Sequence, residues 1–244
     1  MKIKMQHIIV LAFFSTLLSC KKDNYEAPSS MLSGKVVYKG EALQLEYNQV
    51  PYEVYQPGFG KIGPIGSTSN TGTSNQSFTF FAPEGTYSLL LFDGDYKIVV
   101  RPGQGPFVWK QTAGKADTVL VSLRGSQTLD LEVTPYYMVR TPQFTVSGRV
   151  VSGSFKLEKI ITDATAKDIE RVSLYTNKTI FVSKADNNAV IDLAGTAITD
   201  INNIKLSVTV PAIVPTQNYV YARIGVKIAG VEDMIFSPVV KVTL

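Results

Sequence analysis

The feature that most restricts this chain is a two-residue alternation of apolar and polar side chains, repeated along most of its length. In TLDLEVT (128–134), Leu129, Leu131 and Val133 share one face while Asp130 and Glu132 share the other. In YVYARIGVKI (219–228), Val220, Ala222, Ile224, Val226 and Ile228 form one face, with Tyr219, Tyr221, Arg223 and Lys227 opposite. Successive strand residues point to opposite sides of a sheet, so this period selects half-buried β-strands over helices. QSFTFFA, GTYSLLLF, YKIVVR, DTVLVSLR, FTVSGRVV and IKLSVTVPA add runs rich in β-branched and aromatic residues. Gly and Pro interrupt them at short spacing, as in an all-β sandwich. Only 164–171 reads as helix. The stretches LSGKVV (32–37) and VSGRVV (146–151) are similar openings, each followed by a similar length of chain. The expectation is therefore two consecutive β-sandwich domains, 31–135 and 136–244, meeting near TPYYMVRTP. Four identities in six residues prove no duplication, and the competing reading is coincidence between two short strands.

The first 30 residues follow a different logic. Lys2 and Lys4 precede an apolar run from Ile8 to Leu18, then Ser19 and Cys20. A charged start, a short apolar core and a small residue describe a secretory signal peptide, here 1–19. The run is shorter than the roughly 20 residues a spanning helix needs. Leu17-Leu18-Ser19-Cys20 resembles the lipobox of bacterial lipoproteins, and the resemblance implies that Cys20 carries a thioether-linked diacylglycerol. The competing reading is an incidental cysteine in a leader cleaved elsewhere. Stable anchoring takes two or more acyl chains, which this modification supplies. Residues 20–30 are polar, with one Pro and no apolar periodicity, and read as a lipidated tether. Lys21, Lys22 and Asp23 resemble the surface-export signals of Bacteroidetes lipoproteins, which implies an outer-membrane protein on the cell surface.

Composition removes whole classes of chemistry. The single histidine, His7, and the single cysteine, Cys20, leave no imidazole or free thiol in the processed chain. Zinc sites built from Cys or His are excluded, as are Ser–His and Cys–His nucleophile pairs. The S-x-x-K motif is missing from the mature part, while paired carboxylates remain open by residue type. No cofactor, metal site or catalytic residue is assigned. The net charge of +4 includes Lys2 and Lys4 of the leader. No basic run exceeds two residues after Cys20, so the electrostatic footprint of nucleic-acid binding is missing.

The first half resembles the transthyretin-like, carboxypeptidase regulatory-type sandwich, through SGKVV followed by FTFFAPEGTYSLLLFDGDYK. Gly85-Thr86-Tyr87 after Pro83 resembles that family's hairpin corner, and Gly94-Asp95-Tyr96 its later turn. There Gly85 would supply a positive φ, and Tyr87 a buried ring with a hydrogen-bonded tip. The whole arrangement is similar to a family of Bacteroidetes lipoproteins of unknown function, with an immunoglobulin- or fibronectin-like second sandwich. Such proteins are typically encoded beside SusC/SusD-type glycan importers. The resemblance implies glycan capture or an importer partner and brings no catalytic residues.

Sugar sites need flat aromatic faces beside polar groups. Trp109, with Phe107, lies in the Gly/Pro-rich RPGQGPFVWKQTAG (101–114), and loops carry function disproportionately. The competing reading buries both rings at a sandwich end or at the domain interface. Tyr55 and Phe59 precede a long Gly/Ser/Thr/Asn stretch and form a second candidate, against a plain solvated excursion. Tyr136 and Tyr137 are expected to pack between the domains. Asp93 and Asp95, Glu232-Asp233 and Asp186-Asn187-Asn188 read as solvated turns. Thr118, in Asp117-Thr118-Val119, resembles a Bacteroidetes O-glycosylation acceptor. The expected function is a non-enzymatic, membrane-anchored accessory lipoprotein holding polysaccharide or an importer component. The alternative is a structural spacer that binds protein only.

Overall fold

A computed structural model describes residues 26–58, 64–65, 79–113 and 115–244. The chain is all-β, and its strands divide between two sandwiches. In the first, β1 (Ser30–Tyr38) lies beside β3 (Thr86–Leu91), antiparallel from Ser30↔Leu91 to Lys35↔Thr86. Its other edge takes the short strands Gln127–Thr128 and Leu131–Glu132 in parallel. The facing sheet contains β2 (Pro51–Tyr55), β4 (Gly94–Val99) and β5 (Val119–Leu123), with β4 between the other two. The second sandwich sets β6 (Tyr137–Ser147), β7 (Val150–Lys159) and β10 (Ile204–Thr209) in one sheet. The other sheet holds β8 (Ile169–Asn177), β9 (Ala189–Ala194) and β11 (Tyr219–Ile228), with two short C-terminal strands also paired to β11.

The alternation predicts this burial well. Val220, Ala222, Ile224, Val226 and Ile228 are all fully buried, and Leu131 and Val133 nearly so. Asp130 and Glu132 face outward, where they accept hydrogen bonds from the backbone N–H groups of Lys35 (2.9 Å) and Lys39 (2.6 Å). Gly34 is required because the chain crosses it closely. A Cβ there would lie 1.9 Å from the Leu129 carbonyl oxygen. Tyr87 is buried below that crossing and donates its hydroxyl to the same oxygen at 2.6 Å. Gly85 has φ +70, and a Cβ would meet the Leu43 carbonyl oxygen at 2.4 Å. Both expectations for the corner Gly85-Thr86-Tyr87 are met. Tyr96 is likewise buried and donates to the Phe92 carbonyl at 2.8 Å.

Three expectations fail. Residues 164–171 form no helix: Asp163 accepts from the Thr165 N–H (2.8 Å) and hydroxyl (2.6 Å), and β8 begins at Ile169. A side chain that bonds nearby backbone competes with helix formation. LSGKVV and VSGRVV are not equivalent. The first lies inside β1, whereas Gly148 of the second, at φ +58, turns the β6–β7 hairpin. The third failure is Asp233, which is buried rather than solvated. It accepts the Gly105 N–H across the domain boundary at 2.8 Å, and burial raises its carboxyl to about 6.

One apolar cluster runs through both sandwiches, from Leu32 in the first to Ile228 in the second. Main-chain bonds reinforce the junction: Phe236 N–H to the Gln44 carbonyl (2.9 Å) and Tyr136 N–H to the Pro106 carbonyl (3.2 Å). Tyr137 is buried, with its hydroxyl on the Lys167 carbonyl at 2.8 Å. Arg140 reaches Glu41 of the first sandwich and Glu158 of its own. A smaller cluster of Tyr175, Val182, Met234 and Phe236 covers the outer face of the β8–β11 sheet. Gly225 lies beneath it, with no room for a Cβ between Met234, Phe236 and Tyr175.

Candidate functional site

At the edge of that smaller cluster, a small cleft of about 60 Å³, open to solvent, lies between the sandwiches. The first sandwich contributes Tyr47 and Glu84, and the second Phe181, Asp186 and Arg223. Tyr47 sits in the turn between Ala42 and β2, beside Asn48 at φ +54, and its ring is 50 % exposed. Phe181 is 53 % exposed on the connection from β8 to β9. The two rings meet edge to face, with centroids 5.7 Å apart, a favourable aromatic arrangement.

Local hydrogen bonds hold that connection in shape. Asn177 Nδ2 donates to the Phe181 carbonyl at 2.6 Å, and the Ser183 hydroxyl accepts from the N–H groups of Ala185 (3.1 Å) and Asp186 (3.2 Å). Arg223 closes the floor. It occupies an outward position of β11, yet is only 2 % exposed. Its Nε donates to the Ser237 carbonyl at 2.8 Å, and its Nη atoms to Val182 (3.4 Å) and Pro83 (3.3 Å). The guanidinium also lies 4.4 Å from the Phe236 ring centroid, within cation–π range. Burial lowers its pKa to about 10, with Glu84 and Glu46 acting in the opposite sense. It is therefore a cation at neutral pH. The cleft thus offers exposed ring surface next to the exposed carboxylates of Glu84 and Asp186, over a floor closed by the buried Arg223. That combination suits a ligand with both a C–H face and many hydroxyls.

The sequence-predicted aromatics do not line this cleft. Trp109 is 5 % exposed, its indole N–H donating to the Asp117 carbonyl at 2.7 Å, and Phe107 is equally buried. Both belong to the core, so the candidate platform at Trp109 and Phe107 is not exposed and the competing reading, burial of both rings, holds. Their strand, Phe107–Val108, pairs with Thr134–Pro135, which turns the Gly/Pro-rich loop back onto the sandwich. Tyr55 is half-buried and donates its hydroxyl to Glu53 Oε2 at 2.7 Å; Glu53 is buried and paired with Arg101 at 2.6 Å. Phe59 and Cys20 lie outside the described residues. Thr118 is exposed before β5, on a groove shared with Lys110 and Glu132. Asp93 and Asp95 are held by neighbours in their turn, and among the described residues no cluster could hold a metal ion.

Sequence reasoning missed Tyr47, Phe181 and Arg223. The available signal for the rings was an aromatic beside turn residues, in LEYNQ and in NKTIFVSKADNN. Arg223 gave none beyond an outward strand position, because its burial comes from the segment folded over the sheet.

The chain matches two profiles of one family: "Protein of unknown function (DUF3823) N-terminal domain" over 30–134 and "Domain of unknown function (DUF3823_C)" over 137–241. It is similar to the solved structure of a DUF3823 family protein from Parabacteroides merdae. Identity is 34 %, covering 89 % of this chain and 100 % of that one, with a TM-score of 0.73. A Bacteroides ovatus DUF3823 protein shares 26 % identity over 88 % of this chain and 99 % of its own, at 0.70. A third, from Bacteroides uniformis, shares the fold at 14 % identity, 89 % and 100 % coverage, and 0.69. None of the curated proteins compared with the sequence matches it.

Proposed function

The chain belongs to the DUF3823 family of two-domain β proteins, and from that premise we propose that it is a lipid-anchored, non-enzymatic protein that holds carbohydrate. The observation that carries this reading is the exposed Tyr47–Phe181 pair above Glu84, Asp186 and the buried Arg223. Pyranose C–H faces pack on such rings while hydroxyls meet the exposed carboxylates of Glu84 and Asp186. A Bacteroides uniformis protein of the same fold, 17 % identical, is described as a "putative carbohydrate binding protein".

Anchoring through Cys20 at the outer-membrane surface completes the reading. In the β1–β3 pair, Ser30 opposes Leu91 and Lys35 opposes Thr86. Glu84 therefore sits at the opposite end of the first sandwich from the tether. A cleft there faces away from the lipid, and confinement to a thin layer lets weak contacts suffice. In this reading the partner is a SusC/SusD-type importer that receives the glycan. A spacer that binds protein only is the second reading, favoured by the exposed Val190 and Ile191 on edge strand β9.

Affinity electrophoresis through gels cast with different polysaccharides tests the carbohydrate reading. The wild type should be retarded by at least one, and the Tyr47→Ala/Phe181→Ala variant should run freely. Unretarded migration of the wild type in every gel would favour the spacer. Incorporation of a fatty-acid analogue, lost in Cys20→Ala, tests the anchor.

A further inference from the structure

Where β1 begins, three large apolar side chains face solvent: Met31 (41 % exposed), Leu90 (56 %) and Phe92 (44 %). Met31 and Leu90 are directly opposed across the β1–β3 pair, and Phe92 lies two residues beyond Leu90. Met31 and Leu90 therefore share the outer face of that sheet, and Phe92 follows at its end. The Ser88 hydroxyl touches the Met31 sulfur at 3.3 Å, holding that side chain along the same face.

The border of this patch is polar and already paired. Asp93 accepts from Ser30 and from the Gly125 N–H, and Arg124 pairs with Asp95 at 3.3 Å. No single sign of charge dominates it, so the patch fits an apolar boundary better than a charged partner. Its position in the chain identifies that boundary. Met31 follows Cys20 by eleven residues, which span at most about 40 Å when fully extended.

We propose that Met31, Leu90 and Phe92 form a second contact with the membrane that holds the anchor, seating the tether end of that sheet's outer face on the acyl–headgroup boundary. The proposal rests on acylation of Cys20. The tether makes the contact intramolecular, so a small patch is sufficient. Leu120, 71 % exposed, belongs to the facing sheet and points away from the patch.

Tryptophan quenching by brominated acyl chains reads this contact directly. Acylated full-length Leu90→Trp and Leu120→Trp chains would be reconstituted into phosphatidylcholine vesicles with and without brominated lipid. Buried Trp109 supplies the common background. The added emission of Leu90→Trp should fall at least twofold on bromination, while that of Leu120→Trp should stay within a tenth. Equal quenching of both, or no quenching of Leu90→Trp in protein that floats with the vesicles, overturns the seating. Protein that fails to float overturns the anchor beneath it.

Discussion

Replacing Arg223 by alanine tests whether this buried cation joins the two sandwiches. The side chain makes one short hydrogen bond, to the Ser237 carbonyl at 2.8 Å, and two long ones, to Pro83 at 3.3 Å and Val182 at 3.4 Å. Counting about 1.5 kcal/mol for the first and about 0.5–1 for each of the others gives a loss of about 3 kcal/mol. Lost contact with Phe236 adds about 1 kcal/mol. Removing the charge also relieves its desolvation, which offsets part of that sum. The expected net destabilisation is about 2–4 kcal/mol, a fall in Tm of roughly 4–16 °C for a chain of this size. Arg223→Met retains stem volume and should lose less than Arg223→Ala, since it leaves a smaller void. Urea unfolding followed by circular dichroism measures both variants. Arg223→Ala within 0.5 kcal/mol of wild type, at unchanged m, would refute the reasoning.

Other outcomes follow from the same geometry. Because burial raises Asp233 from 3.8 to about 6, the folded state binds its proton more tightly than the unfolded state. Its contribution to stability is fully present below about pH 4 and lost as pH rises to about 6. Asp233→Asn should therefore gain about 2 kcal/mol on wild type across that window, read as the difference between two urea-midpoint profiles; parallel profiles would contradict it. Gly34→Ala forces a Cβ against the Leu129 backbone and should cost about 3 kcal/mol or more, beyond the usual overpacking range. Tyr87→Phe leaves the Leu129 carbonyl without its side-chain donor and should cost about 1–2 kcal/mol. Both are measurable by thermal unfolding, and a neutral Gly34→Ala would mean the crossing is looser than described.

What the sequence made legible was whatever follows from local period and local turn chemistry. The alternating face of β11, the outward Asp130 and Glu132, and the corner Gly85-Thr86-Tyr87 all depend on neighbours within a few residues or on one strand pair. The misreadings share a different origin. Arg223 occupies an outward position and is buried because the 178–188 segment and the first sandwich cover that face. Trp109 lies in a loop-like composition, but pairing with Thr134–Pro135 and a bond to the Asp117 carbonyl fold it inward. Residues 164–171 contain good helix formers, yet the Asp163 turn and the β8 ladder claim them. Tyr47 and Phe181 are 134 positions apart, and only the packing of two domains brings them together.

The central claim, that the interdomain cleft holds carbohydrate through its exposed rings, is tested most directly by calorimetric titration of wild type and Phe181→Ala. The titrant is an oligosaccharide of whichever polysaccharide retards the protein. Covering the exposed half of the Phe181 ring is worth about 1–1.5 kcal/mol, so Kd should rise about tenfold in the variant. A Kd unchanged within twofold in Phe181→Ala would place the ligand elsewhere.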